Sequence, residues 1–507
     1  MYVQALKIEN FRGFTTMNSP LLFSKNINVI VGPNNSGKST ILRSIHYLQE
    51  SNDSFYPNDI SKSKDEGHIR VVVNDAEHLK IPKNIDTNSF TMYFGMKKDG
   101  NITLNMLTDG EDTNYIKFSN NEPDNLIYPY TAKRKVTSFN PSISEQVTNS
   151  VTGNLSTLPA KTDRSINPGS ETHKEYIQVC EDIFGKDFFF TTMSSGEGKN
   201  VGIKVNNYES ITIDRMGEGV ASILGLINIL CGAKNKVFLI EEIENDIHPL
   251  ALKSILKLIE SKSSTNQFFI STHSNIVTKY LGAVVNAKVF KTSLRLENKI
   301  PITEIEEVPN DITSRLKVLE DLGYEPVDYG FWKGYLFLEE SSAESIIREF
   351  LIPTFAPKLS NVVKTFSTKG KDNVLGKFDD FNRLFVFLHL EPTYKNKVWV
   401  IIDGGKEEKE IIDKLKNMYV KEDGWNEKHF DQFPQHTFEK YYPQRFQEEV
   451  EGIFSSIKDT YEKKIELLKK VIDWSTKNPQ DAKIEWGKSA MEVIEKLKEI
   501  EKHLSKA

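Results

Sequence analysis

The segment that most limits what this chain can fold into is Ile27–Val31 followed by Gly32-Pro-Asn-Asn-Ser-Gly37-Lys38-Ser39. A short apolar run ends in a loop with glycine at both ends. A lysine and a serine then open Ser39–Gln49, where Leu42, Ile45, Tyr47 and Leu48 supply the apolar positions of a helix. Strand, glycine loop and helix in that order match G-x-x-x-x-G-K-[ST] in full. Glycines let backbone N–H groups turn toward phosphate oxygens, and the helix N-terminus adds positive potential. Lys38 is expected on the β- and γ-phosphates of ATP and the Ser39 hydroxyl on Mg²⁺. Gly32, Asn34, Asn35, Ser36, Gly37 and Thr40 complete the expected phosphate loop. Strands alternating with helices around such a loop imply a largely parallel sheet, so the expected class is α/β.

A chain of 507 residues has room for several domains. Residues 1–300 read as the nucleotide-binding domain, β-rich over 69–118 and α/β again over 200–300. Residues 137–174, rich in Ser, Thr, Asn and Pro, read as a polar loop or insertion. Residues 301–333, with Pro301, Pro309, Gly323, Pro326 and Gly330, read as a connector. A second α/β unit is expected over 334–443 and a Lys/Glu-rich helical segment over 444–507. The two cysteines, Cys180 and Cys231, exclude a cysteine-based zinc site and predict no disulfide. No apolar run of membrane-spanning length occurs, and the N-terminus lacks an apolar leader, so a cytoplasmic protein without membrane contact is expected. The net charge of −6 argues against a coat of nucleic acid but leaves room for a local basic groove.

Three further elements belong with the phosphate loop. Val237–Ile240 is an apolar strand ending in Glu241 and Glu242. The first acid is expected to hold Mg²⁺ through water and the second to polarise the attacking water. A later strand, FFI, ends in Ser-Thr-His273-Ser, placing a polar tip where a γ-phosphate sensor would stand. Before the apolar helix at Val220 lies Asp214-Arg-Met-Gly217-Glu-Gly219, two glycines opening a helix and so a candidate anion nest.

The order of these elements resembles the ABC-type ATPases of the SMC/Rad50-like class, and within it the OLD (overcoming lysogenisation defect) type. The motifs that carry the resemblance are Leu6-Lys-Ile-Glu-Asn-Phe-Arg-Gly-Phe14, GPNNSGKST, Glu241–Pro249 (EEIENDIHP) and STHS. The resemblance implies that Gly217 and Gly219 face ATP bound by a second copy, and hence at least a homodimer. The usual serine of that loop is absent. No glutamine matches the family's Q-loop; Asp59 occupies that region.

OLD-type proteins continue into a Toprim domain, a metal-dependent nuclease module, and the second half resembles one. Glu339, in Leu-Phe-Leu-Glu339-Glu340-Ser-Ser-Ala-Glu344, and Asp403, in Val-Ile-Ile-Asp403-Gly-Gly405, match the first acids of that module. Gly405 replaces the second acid of D-x-D, which removes one metal ligand and about one negative charge. Glu407 or Glu408 is a candidate replacement. Phe438–Pro443 (FEKYYP) resembles the module's late motif. The expected architecture is an ABC-type P-loop ATPase, a smaller Toprim-like α/β domain and C-terminal helices.

Three functions follow from the resemblance. An intact ATPase with an eroded Toprim matches the ATPase subunit of Septu-type and retron-linked anti-phage systems. That implies an oligomeric scaffold and sensor holding a separate nuclease. The alternatives are a self-contained, ATP-regulated, metal-dependent DNA endonuclease and a RecF/Rad50-like repair ATPase. DNA or RNA is a further expected partner, with Lys133-Arg134-Lys135 and Lys463-Lys464 as basic clusters whose simpler reading is a solvated face.

Overall fold

The structure is a computed structural model. It describes all residues except 51–55, 62–63, 78–85, 87, 109–110, 115–116, 133–142, 186, 196–197, 205–208, 298–299, 324–331, 456–459 and 506–507. The chain divides into two compact units, Met1–Tyr324 and Glu325–Ala507.

A six-stranded sheet organises the first unit. Its spatial order is Ile300–Glu307, Lys288–Glu297, Ile27–Val31, Gln267–Thr272, Val237–Glu241 and Ile127–Tyr130. The first two strands form an antiparallel hairpin, and the remaining neighbours are parallel. Every residue of Ile27–Val31 and of Gln267–Thr272 is buried, as expected of parallel strands covered on both faces. An antiparallel sheet runs from Tyr2–Phe11 through Glu66–Asn74 and Ser89–Lys97 to Ile102–Thr108 and Glu111–Asn114. In Glu66–Asn74 buried residues alternate, with Ile69, Val71 and Val73 turned into the core. That face shares one core with Ile41 and Ile45 of helix Lys38–His46, so the sheet braces the helix that follows the glycine loop.

Two expectations differ from the structure. The polar stretch 137–174, read from sequence as a loop or insertion, is not loop throughout its described part. It forms helices Glu145–Asn149 and Leu158–Ile166 and begins His173–Phe184. Its polar groups are buried because they are paired. Asn228 Nδ2 donates to Thr162 Oγ1 at 3.0 Å, Ser165 Oγ donates to Asn228 Oδ1 at 2.8 Å, and Lys161 meets Glu122 at 2.6 Å. The expected connector 301–333 begins as structure of the first unit. Strand Ile300–Glu307 pairs with Lys288–Glu297, and helix Ile312–Asp321 follows, capped by the Asp311 carboxylate accepting from Ser314 N at 2.9 Å. Arg315 and Leu319 of that helix are fully buried, which prolines nearby did not reveal.

The second unit is α/β. Its sheet is four-stranded and wholly parallel, in the order Val363–Ser367, Gly334–Leu338, Val398–Ile402, Phe430–Gln432. Tyr335 and Phe337 turn to one face, against Phe381 of helix Val374–Phe387. Leu336 and Leu338 turn to the other, in one core with Trp486, Val493 and Leu497. The helices after residue 444, where the sequence predicts a helical segment, supply nearly half of that core. Among the described residues no helix is long and apolar enough to cross a membrane. Cys180 and Cys231 are free and buried.

Candidate functional site

Strand register assembles the first site. Val31 pairs with Thr272, and Glu241 with Ser271. The residues that follow, Gly32, His273 and Glu242, therefore leave adjacent strands at one edge of the sheet. Neighbouring strands lie about 4.8 Å apart, so one phosphate group can lie within reach of all three.

The loop's shape depends on its two terminal glycines. Gly32 has φ 152°, and an added Cβ would run into Thr292 Oγ1. Gly37, the N-cap of helix Lys38–His46, has φ 96°, and a Cβ there would meet Thr303 Cγ2 at 2.6 Å. Ser36 Oγ lies 2.7 Å from Pro33 O and 2.6 Å from Thr292 Oγ1, bracing the loop from inside. Asn34, Asn35 and Ser39 are exposed, whereas Lys38 and Thr40 are buried. Lys38 Nζ donates to Gly32 O and Pro33 O, each at 2.9 Å. Burial pushes its ammonium down to about 8, while Glu242, Glu244 and Glu241 hold it up.

Glu242 stands at the turn after its strand, with φ 46°. Its amide extends the parallel ladder to Ser271 O at 2.9 Å. Its Oε2 accepts from Asn245 Nδ2 at 2.7 Å, and its Oε1 lies 3.5 Å from His273 Nε2. Glu241 Oε2 accepts from Ala132 N at 3.0 Å. His273 is held between the end of its strand and Ser274, whose Oγ caps helix Asn275–Gly282 by accepting from Ile276 N at 3.2 Å. An exposed hydroxyl at Ser39 and a carboxylate at Glu241 are hard oxygen donors, the chemistry that suits Mg²⁺ beside a triphosphate.

Glu244, within the stretch Glu241–Pro249, has no role of its own legible in the linear chain. Its Oε1 accepts from His273 N at 2.7 Å and from Thr272 Oγ1 at 2.8 Å. The only sequence signal is a third acid two residues beyond Glu242. Gly217 is exposed at the N-terminus of helix Glu218–Leu230. Gly219 packs beneath the backbone of Asp246, where an added Cβ would strike Asp246 O. Asp59 is engaged in structure: its carboxylate meets Arg12 Nε at 3.0 Å and accepts from Tyr56 N at 3.1 Å.

The second unit gathers acids at the C-terminal edge of its sheet. Asp403 N donates to Glu339 Oε2 at 3.3 Å, and Asp403 Oδ2 accepts from Phe438 N at 3.1 Å. Burial, then Glu408, pushes Glu339 up to about 7; burial, then Glu339, pushes Asp403 up to about 8. At Gly405 an added Cβ would run into Glu408 Oε2, so Glu408 fills the space a side chain there would take. The neighbouring acids already have cations. Lys371 pairs with Glu407 and lies 3.6 Å from Glu408. Lys464 Nζ lies 3.4 Å from Glu340 and 3.3 Å from Glu439, so it is no part of a solvated face. Arg348 Nε meets Glu344 at 2.9 Å. Among the described residues no group of three or more His, Cys, Asp or Glu is arranged to hold a metal ion. The cluster Lys133-Arg134-Lys135 lies outside the described residues.

Two family models match the first unit. One, "AAA ATPase domain", covers residues 1–157; the other, "AAA domain, putative AbiEii toxin, Type IV TA system", covers 163–278. An ATP/GTP phosphatase of Helicobacter pylori is 22% identical over 343 residues, 58% of this chain and 91% of that protein. The DNA replication and repair protein RecF of Francisella tularensis subsp. novicida is 30% identical over 130 residues. That match takes in 25% of this chain and spans about a third (34%) of the relative's length. A solved Smc head domain from Pyrococcus furiosus, with an extended coiled coil and bound to the C-terminal domain of ScpA, aligns with TM-score 0.43. It is 15% identical and covers 64% of this chain and 99% of that chain. The family models place an AAA-type P-loop ATPase domain in the first unit, and with the phosphatase relative they support ATP hydrolysis as its activity.

Proposed function

We propose that this chain is the ATP-binding and ATP-hydrolysing subunit of a bacterial anti-phage defence complex. It acts as an oligomeric scaffold and sensor that holds a partner nuclease through a degenerate Toprim-like unit. The observation that carries the ATPase part is the convergence of Gly32, Glu242 and His273 at one sheet edge with Lys38 buried beside them. In this reading Lys38 leaves the carbonyls of Gly32 and Pro33 for the β- and γ-phosphates. Ser39 and Glu241 would hold Mg²⁺, which would neutralise phosphate charge. Glu242 orients the attacking water, and His273, within 3.5 Å of Glu242, reads the γ-phosphate. Asn34, Asn35, Ser36, Gly37 and Thr40 shape the phosphate loop, and Gly217 and Gly219 face the nucleotide of a second copy.

The degenerate part rests on Lys464, which lies between Glu340 and the buried Glu439 and supplies there positive charge that a metal ion would otherwise supply. A buried acid with an internal cation gains nothing by exchanging it for a hydrated metal unless the new geometry is better. The RecF-like alternative gives the second unit no role. The test is plasmid incubation with purified chain and Mg²⁺ or Mn²⁺, with and without ATP, beside Asp403→Ala. We expect no cleavage by the chain alone. Cleavage that disappears in Asp403→Ala would make the protein a self-contained nuclease.

A further inference from the structure

The turn after Glu242 carries a side chain with no part in the reading above, and its bonds run to the other catalytic strand. Glu244 is half-buried, and its Oε1 receives two hydrogen bonds, from the peptide N–H of His273 and from the hydroxyl of Thr272. Thr272 is fully buried and its Oγ1 also accepts from Ser274 N at 2.9 Å. One carboxylate oxygen thus fixes the peptide that carries His273, through a fully buried neighbour. The second, Oε2, is buried and makes no hydrogen bond among the described residues; so is His273 Nε2, apart from its 3.5 Å approach to Glu242. The field of Glu244 also reaches Lys38, where it is the second carboxylate, after Glu242, that holds the ammonium charged.

We propose that Glu244 is a positioning residue for ATP hydrolysis, locking the turn that carries Glu242 to the peptide that carries His273. The two side chains then answer the γ-phosphate as one body rather than as the ends of two strands. The geometry explains why a glutamate serves here. The acceptor must span from the turn of one strand to the end of its neighbour, about one strand spacing away. It must also accept two hydrogen bonds at once, which a carboxylate oxygen with two lone pairs can do. Without it, the peptide of His273 loses its bond to the turn, and the ladder bond from Glu242 N to Ser271 O is left to tie the two strand ends. A shift of about 1 Å in such a pair is enough to cost on the order of 100-fold in rate.

The proposal rests on the ATPase reading, and the experiment separates the two. Steady-state ATP hydrolysis and binding of a fluorescent ATP analogue are measured on the full chain for wild type, Lys38→Ala, Glu244→Ala, Glu244→Gln, His273→Ala and the Glu244→Ala/His273→Ala pair. Absence of Lys38-dependent turnover in wild type overturns the ATPase reading and the proposal with it. With turnover present, Glu244→Ala is expected to lower kcat by roughly 10- to 100-fold with analogue affinity and KM little changed. Glu244→Gln, whose amide oxygen can still accept both bonds, recovers most of that loss. Glu244→Ala is expected to add little on the His273→Ala background, because the two losses share one route. Additive losses, no rescue by Gln, or a Glu244→Ala chain with wild-type kcat would each overturn the proposal.

Discussion

At the scale of single residues, the two sites share one physical theme: ionisable groups taken out of water and held by neighbours. Lys38 is the clearest case. Burial brings its ammonium down to about 8, and phosphate binding needs the charged form. Below that pH the lysine enters the complex already charged. Above it, each ATP bound requires a proton to be taken up. Nucleotide affinity is therefore expected to hold steady on the acid side and to fall as pH rises through about 8, by up to about tenfold per pH unit. Titration with a fluorescent ATP analogue across that range checks it, and a flat profile would mean that Lys38 stays charged throughout. Asp403 runs the opposite way. Its carboxyl is pushed from 3.8 up to about 8, chiefly by burial and then by Glu339. The folded state thus holds a proton that the unfolded chain releases, and stability is lost as pH rises through that window. Asp403→Asn removes the ionisation while keeping an oxygen for Phe438 N. The melting temperature of the variant should exceed that of wild type by an amount that grows with pH and vanishes in acid. A gap independent of pH would mean that the carboxyl is not the titrating group.

At the scale of elements, what matters is how helix and strand ends meet. The helix Glu218–Leu230 begins under the turn that follows Glu242, with Gly219 against Asp246 O. Gly219→Ala forces the two apart and is expected to cost about 1–3 kcal/mol of stability and to lower ATP turnover. Gly217 has open space where a Cβ would go, so Gly217→Ala is expected to change stability by no more than about 0.5 kcal/mol. Thermal melts of the pair decide it, and equal melting temperatures would mean that Gly219 is not tightly packed against Asp246 O. The sequence made the strand and helix starts plain wherever apolar runs met glycine or paired acids, as at Gly32 and Glu241. It concealed the helix Leu158–Ile166, because Thr162, Ser165 and Lys161 count as polar until Asn228 and Glu122 are brought to them from far along the chain.

At the scale of the whole molecule, the two units, Met1–Tyr324 and Glu325–Ala507, each enclose their own core. In the reading proposed above, Gly217 and Gly219 serve the nucleotide of a second copy, so ATP is expected to drive association. A hydrolysis-slowed Glu242→Gln chain should double in mass on adding ATP and Mg²⁺, and Gly217→Ala in that background should prevent it. Light scattering coupled to gel filtration gives the answer, and a mass unchanged by ATP would leave no role for the glycine loop in trans.

The glycine loop from Gly32 to Gly37, the strand ending at Glu241 and Glu242 and the strand ending before His273 were all legible in the linear chain as local structure. Each is a local pattern in which backbone freedom, apolar run and polar tip lie within a few residues. The α/β character of both halves was legible for the same reason. What only the tertiary structure decided are the long-range pairings: Thr272 beside Val31, Glu244 on the peptide of His273, Lys464 between Glu340 and Glu439. A hydrogen bond or ion pair between residues distant in sequence leaves no periodicity and no spacing to read. Its partners are chosen by strand register and by the cost of burying a charge alone, and both exist only once the chain has folded.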